Sequence, residues 1–316
     1  MVEIPALPNS IPMLIDEKKA AEYQPNFSVS IGASMIGHGC ERYIFYRFRW
    51  AYLPEKINGR LVRLLETGKL EENRMIGWLK DIGVNVAEND PATGRQWMVI
   101  GVDGHLKGFA DGIILEGLPG AEKTKHLLEC KTHSLASFKQ LQKHGVAVAK
   151  PEHVAQMQIY MHLLGLTRAL YFAKCKDNDE LYAERIKYDA AHALALLGKA
   201  ERIVNANEKP ARVTDDPNYY LCKAYNCPAF KLCHENDFAV RNCRTCIHST
   251  PIAGGGWQCE RLKIKLDTKD QKAGCPHHLF LPCLVPGEQI DTDEKKETIT
   301  YRLFKDNKEW VDGGGK

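Results

Sequence analysis

The chain reads as an α/β protein of the α+β kind followed by a small cysteine-rich module. Three observations predict this. Short apolar runs bounded by turn residues lie between Trp97 and Lys131, as strands do. Helix-period stretches precede and follow them. Eight of the 11 cysteines fall between Cys222 and Cys283, beyond the alternating part.

Composition sets outer bounds. The 316 residues suffice for one large or two modest domains with a core. Lys and Arg total 43 against 40 acidic residues, a balance that neither demands nor excludes nucleic acid. No run of about eighteen apolar residues occurs, so no membrane span is expected. The N-terminus, with Glu3, Asp16 and Glu17, has no apolar signal-peptide region. A cytoplasmic location is the default expectation. In a reducing compartment clustered cysteines favour metal or iron–sulfur ligation over disulfides. Isolated Cys130 and Cys175 read as small buried hydrophobes.

Residues 1–27 are Pro-rich and aperiodic and predict an extended arm. The aromatic and basic run 34–52 has helical spacing. A second helix spans 61–82, stopped by Gly83. Residues 97–102 and 106–115 predict paired strands joined near Asp103-Gly104. Residues 125–131 predict a third strand, and 134–144 a short helix or loop. Pro151 opens a helix that Gly165 ends. Residues 168–174 and 180–188 predict strands around a polar turn, and 190–207 a charged, alanine-rich helix. The polar stretch 209–218, with two prolines, predicts a linker. From Glu288 the tail is charged, with a candidate hairpin of 298–304 and 309–311 around Asp306-Asn307. The expected division is therefore 1–27, an arm; 28–208, the core; 209–287, the cysteine-rich region, itself divided at 219–235 and 240–283; and 288–316, the tail.

The residues with most chemical content are Asp111, Glu129 and Lys131. Side chains alternate along a strand, so Glu129 and Lys131 share one face and Cys130 takes the other. Two carboxylates and an ammonium on adjacent strands suit a hard divalent cation and a phosphate. Water on such a cation becomes a usable nucleophile near neutral pH. Lysine can orient that water or stabilise developing charge.

Helix, three strands, helix and strand with this spacing resemble the PD-(D/E)XK nuclease superfamily, over about residues 34–189. The closer likeness is to its RecB-like branch, which includes lambda-type exonucleases and iron–sulfur nucleases of CRISPR adaptation. Asp111 matches the metal-binding aspartate of that family, and Glu129 and Lys131 its Glu-x-Lys pair. Gln156 and Tyr160 resemble its Gln-x-x-x-Tyr motif. Glu72, after Gly68, resembles an early acidic ligand and fits the spacing better than Glu71. The resemblance implies a restriction-endonuclease-like core with a mixed sheet flanked by helices. It also implies a Mg²⁺- or Mn²⁺-dependent deoxyribonuclease, an exonuclease acting on DNA ends or single strands, in a bacterial or phage-infected cell. Its implied partners are DNA and a recombination, repair or CRISPR-adaptation protein; a homo-oligomer is compatible. Certain members hold a [4Fe–4S] cluster with one cysteine before the core and three after it. Cys40 with Cys222, Cys227 and Cys233 resembles that set, though the gap from Cys222 to Cys227 is wide. A zinc site of Cys222, Cys227, Cys233 and His234 is the alternative.

Cys243 and Cys246 form a Cys-x-x-Cys turn, with Cys259 and Cys275 at zinc-ribbon-like distances, a set that suits tetrahedral Zn²⁺. His248, His277 and His278 are alternative ligands, and Cys283 has no assigned role. Arg42, Arg47, Arg49 and Trp50 are candidates for a strand-binding groove, because stacking and phosphate pairing suit single strands. The competing reading of that run is helix core. His105 is a candidate for contacting DNA or metal. Two other classes compete with an enzyme: a catalytically silent nucleic-acid- or protein-binding module, and a redox or metal sensor.

Overall fold

A computed structural model describes residues 10–314. In chain order the elements are α1 (Ser10–Glu22), β1 (Ile31–Gly32), α2 (Glu41–Phe48), α3 (Gly59–Asp81), β2 (Asn85–Ala87), β3 (Met98–Gly101), β4 (Leu106–Phe109) and β5 (Gly112–Glu116). There follow β6 (His126–His133), α4 (Leu135–Ala149), α5 (Pro151–Leu164), β7 (Arg168–Cys175), β8 (Leu181–Lys187) and α6 (Ala190–Val204). The last part holds α7 (Phe230–His234), β9 (Ser249–Ile252), β10 (Gly256–Cys259), β11 (Ile264–Leu266), α8 (Thr268–Ala273), β12 (Gly287–Asp293), β13 (Thr298–Leu303) and β14 (Glu309–Gly313).

The main sheet has five strands in the order β2-β5-β6-β7-β8. It is mixed: β6 and β7 run parallel, and the other pairs are antiparallel. A parallel pair needs a long crossover, and α4 with α5 provide it. Strand β7 is buried on both faces, so it reads as an almost unbroken apolar run. Leu170 and Phe172 join Leu128 and Cys130 against Met75, Ile76 and Leu79 of α3. Ala169, Tyr171 and Ala173 face the other way, into a larger core with Met157, Ile159 and Tyr160 of α5. Helix α5 has Pro at its start and a left-handed Gly165 at its end (φ 66°). Asn58 caps α3, its side chain accepting from the Leu61 N–H at 2.9 Å.

Several expectations are corrected. Residues 10–22 of the expected extended arm are helical, packed along α3 with Lys19 bonded to Glu66; residues 1–9 lie outside the described residues. The helix expected over 34–52 is confined to α2. Residues 36–37 form a turn, and Gly37 comes so close to α5 there that a Cβ would stand 2.8 Å from Glu152 Cα. The run 106–115 is two strands, not one. Strand β4 pairs with β3 and β1 in a separate small sheet, and β5 enters the main sheet. The chain changes sheets at Ala110-Asp111. Residues 134–144 belong to the longer α4, broken at Gly145 (φ 72°). The tail is a three-stranded antiparallel sheet: β12 joins β13 and β14, two strands that lie where the hairpin is expected. In the cysteine-rich region β9, β10 and β11 form another antiparallel sheet. Among the described residues, no helix is long and apolar enough to cross a membrane.

Candidate active site

The break between β4 and β5 places Asp111 beside the centre of β6. Its Oδ2 accepts the Cys130 N–H at 2.7 Å. On the same strand Glu129 is fully buried and ion-paired with Lys131. Its Oε2 is buried without a hydrogen-bond partner. A cleft of 220 Å³ opens here, lined by Gly68, Glu72 and Met75 of α3 together with Asp111, Cys130, Lys131 and Thr132. Glu72 faces it, bonded to Lys69 at 2.9 Å. Neighbouring Glu71 turns instead to Lys174, 2.9 Å away.

Electrostatics mark the same spot. Burial, then the Glu129 charge, pushes the Asp111 carboxyl up to about 7; Lys131 and the Cys130 N–H pull the other way. Burial alone would lower the Lys131 ammonium, but Glu129 and Asp111 together raise it. Two adjacent carboxylates, one with an orphaned buried oxygen, are a donor set that a hard divalent cation satisfies. Mg²⁺ uses one or two carboxylates and completes its shell with water or phosphate oxygens. Among the described residues, no three His, Cys, Asp or Glu side chains stand together as a metal-holding group. Asp111 and Glu129 fit such an ion as a pair, with Glu72 across the cleft.

Helix α5 packs on the opposite face of the sheet from α3. Gln156 Nε2 donates to the Tyr160 hydroxyl at 3.3 Å, and both side chains are buried. Tyr160 lies against Gly108 of β4, where a Cβ would approach its hydroxyl to 2.5 Å; glycine is needed for that contact. Burial, then the Glu129 charge, raises the Tyr160 phenol. His133, His153 and Tyr171, which carry no role in any sequence motif above, adjoin these residues. A signal was present: His133 continues the alternation of Glu129 and Lys131, and His153 precedes Gln156 by one helical turn.

The candidate DNA-binding residues separate. Arg47 is exposed, and its guanidinium is lowered by burial but raised further by Tyr52 and Tyr43. Arg42 is half-buried and donates to the Pro210 carbonyl at 2.6 Å. Arg49, Trp50 and His105 are corrections, because each is only 1% exposed. Arg49 donates to the carbonyls of Ala206 (2.7 Å) and Arg244 (3.3 Å) and lies over Trp257. Trp50 stacks on Phe27 and carries the Arg244 guanidinium 3.8 Å above its ring. His105 bonds the Ile252 carbonyl at 3.0 Å and packs edge-on against Phe48 and Trp257. These side chains meet the cysteine-rich region, not a groove. The reason is distance along the chain: Trp257 and Arg244 complete the aromatic box from about 200 residues away, so α2 alone does not disclose its cover.

The two cysteine sets each lie within electrostatic reach. Burial, then the charges of Cys40, Cys233 and Cys222, pushes the Cys227 thiol up to about 11. Burial, then Cys275, Cys246 and Cys259, does the same for Cys243. Among the described residues neither set is gathered tightly enough to form a metal-holding group. His278 is buried, with Nε2 3.3 Å from the Thr245 hydroxyl. Cys283 stands apart, raised to about 11 by burial and Glu208.

No protein-family model matches the chain, and no curated protein matches it. Solved structures do. SSO0001 is similar at TM-score 0.42 and 16% identity, covering 71% of this chain and 96% of that one. The alkaline exonuclease LHK-Exo from Laribacter hongkongensis is similar at TM-score 0.38 and 17% identity, covering 59% and 89%. LHK-Exo in complex with dAMP gives TM-score 0.39 and 16% identity over the same shares. At these levels the likenesses carry no argument about activity, which has to come from the site.

Proposed function

We propose that this chain is a divalent-metal-dependent deoxyribonuclease that hydrolyses phosphodiester bonds at DNA ends or in single strands. The observation that carries the proposal is Asp111 on the cleft beside the buried, Lys131-paired Glu129, with Glu72 on the same cleft. Asp111 and Glu129 would hold Mg²⁺ or Mn²⁺, with Glu72 contributing from α3. When bound, the cation would supply charge neutralisation at the scissile phosphate and an acidified water. Lys131, whose ammonium form Glu129 and Asp111 favour, orients the attacking water or stabilises the developing negative charge. Gln156 and Tyr160 hold the wall above Lys131 and Glu129. Arg47, exposed on α2, is the remaining candidate from its helix for a DNA phosphate.

The test is digestion of end-labelled single- and double-stranded DNA with Mg²⁺, with Mn²⁺ and with chelator. The expected outcome is cleavage that requires a divalent ion and disappears in Asp111→Ala. Cleavage by Asp111→Ala at the parental rate refutes the assignment. DNA binding without cleavage under any metal would favour the silent binding module instead.

The cysteine spacing alone suggests two further centres, a [4Fe–4S] cluster on Cys40, Cys222, Cys227 and Cys233 and Zn²⁺ on Cys243, Cys246, Cys259 and Cys275; neither set is gathered as a metal-holding group among the described residues. Four thiolates match the demand of either. Metal analysis of anaerobically purified protein should find both iron and zinc. Cys40→Ser should lose iron alone and Cys243→Ser zinc alone; the reverse pattern would exchange the two sets.

A further inference from the structure

Alternation along β6 places His133 on the face that carries Glu129 and Lys131. Opposite it, α5 presents His153, three residues before Gln156 and seven before Tyr160, on a single helical face. Tyr171 of β7, in register with Glu129, links the two. Its hydroxyl lies 2.8 Å from His133 Nε2 and 2.9 Å from His153 Nδ1. His133 Nδ1 in turn lies 3.1 Å from the hydroxyl of Ser137, in the first turn of α4.

A phenol hydroxyl has one proton to donate and lone pairs to accept with. It is satisfied here when one imidazole offers an N–H and the other a bare nitrogen, so the accepting ring must be neutral. The surroundings of both rings disfavour their charged forms. Burial, then the charges of Lys150, Lys131 and Lys176, holds His133 down to about 4. Burial, then Lys131, His133 and Lys150, holds His153 down to about 3. The first turn of α5 has no side-chain cap, because Lys150 at the cap position makes no such bond. The tie from His153 to Tyr171 therefore anchors that turn to the sheet.

We propose that Ser137, His133, Tyr171 and His153 form a positioning unit that fixes the start of α5 against β6 and so sets Gln156 and Tyr160 against the Glu129–Lys131 pair. This rests on the nuclease reading of that pair. None of the four lines the cleft; they act through the residues they hold.

The stereochemistry supplies the test. His153 engages through Nδ1, whose position an asparagine amide reproduces and a glutamine amide overshoots. Tyr171→Phe and His153→Gln should lower kcat by roughly tenfold to a hundredfold, the range for partners that orient a first layer of ligands, with KM for DNA unchanged. His153→Asn should keep the parental kcat. Parental rates in Tyr171→Phe and His153→Gln would overturn the proposal. So would His153→Asn as slow as His153→Gln, or losses that only follow the melting temperature. If the parental protein cuts no DNA with Mg²⁺ or Mn²⁺, the nuclease reading falls, and amide hydrogen exchange over residues 151–157 decides the anchoring. Faster exchange in Tyr171→Phe and His153→Gln, but not in His153→Asn, supports it; unchanged exchange overturns it.

Discussion

Two regions of this molecule hold cations away from bulk water, one partly and one fully, and they do so in opposite ways. At the cleft, Lys131 lies between Glu129 and Asp111, and those carboxylates raise its affinity for the proton. In the box where α2 meets the cysteine-rich region, Arg49 and Arg244 have no carboxylate in ion-pair contact among the described residues. Burial pulls Arg49 down to about 10, and burial with the like charge of Arg49 pulls Arg244 down to about 9. Their partners are neutral oxygens and ring faces. Arg244 donates to Phe48 and Val29 carbonyls at 3.0 Å each and to Gln271 Oε1 at 2.8 Å, beneath Trp50 and Trp257. A half-buried cation held by acids beside an open cleft is equipped for chemistry. One held by carbonyls and aromatics, closed to water, is equipped to join two parts of a chain.

The contrast predicts that damage at the two places separates activity from stability. Glu129→Ala should reduce cleavage by about 10²–10³-fold or more, the scale for losing one preorganised electrostatic group, with the circular dichroism spectrum unchanged. Arg244→Met should do the reverse. It leaves buried carbonyls unpartnered and should destabilise the protein by about 2–3 kcal/mol in thermal or denaturant unfolding, while activity per folded molecule persists. If Arg244→Met abolished cleavage at full stability, the box would belong to the catalytic machinery and the contrast would fail.

A smaller effect sharpens the comparison through pH. The folded-state pKa of Asp111 is raised, to about 7 from an ordinary 3.8. Its contribution to stability is therefore fully present below the ordinary carboxylate range and lost as pH rises through about 7. His133 and His153, whose pKa values are lowered, act oppositely: their contribution is present above the ordinary histidine value and lost as pH falls toward 4 and 3. The informative quantity is thus the difference between the parental protein and Asp111→Asn without metal. The parental protein should lose stability relative to the variant between pH 4 and pH 7, and divalent cations should shrink that difference. A pH-independent difference would mean that the carboxylate pair is not in conflict.

The smallest effect concerns α2. Arg47→Ala should weaken DNA binding across sequences and reduce the slope of log affinity against log salt by about one. Arg49→Met should leave that slope unchanged and lower the melting temperature. An unchanged slope in Arg47→Ala would place the whole of α2 in the architecture.

The sequence by itself determined the local geometry of the candidate site. Period-two alternation placed Glu129 and Lys131 on one face, and 3.6-residue spacing placed Gln156 and Tyr160 on another, because each follows from backbone periodicity alone. Turn residues and the Pro151 and Gly165 boundaries marked α5 for the same reason. The alternation also extended to His133, but nothing local announced that Tyr171, 38 residues later, would join it to His153. Only the tertiary structure decided the remainder. It broke the run 106–115 at Asp111, because β4 pairs with β1 and β3 while β5 pairs with β6. It turned Glu72 to the cleft and Glu71 to Lys174, one residue apart on the same helix. It also buried Arg49, Trp50 and His105, whose aromatic and basic pattern looks alike whether it faces a nucleic acid or Trp257. A side chain's environment is set by whatever packs against it, and here those partners arrive from chain segments that no local pattern connects.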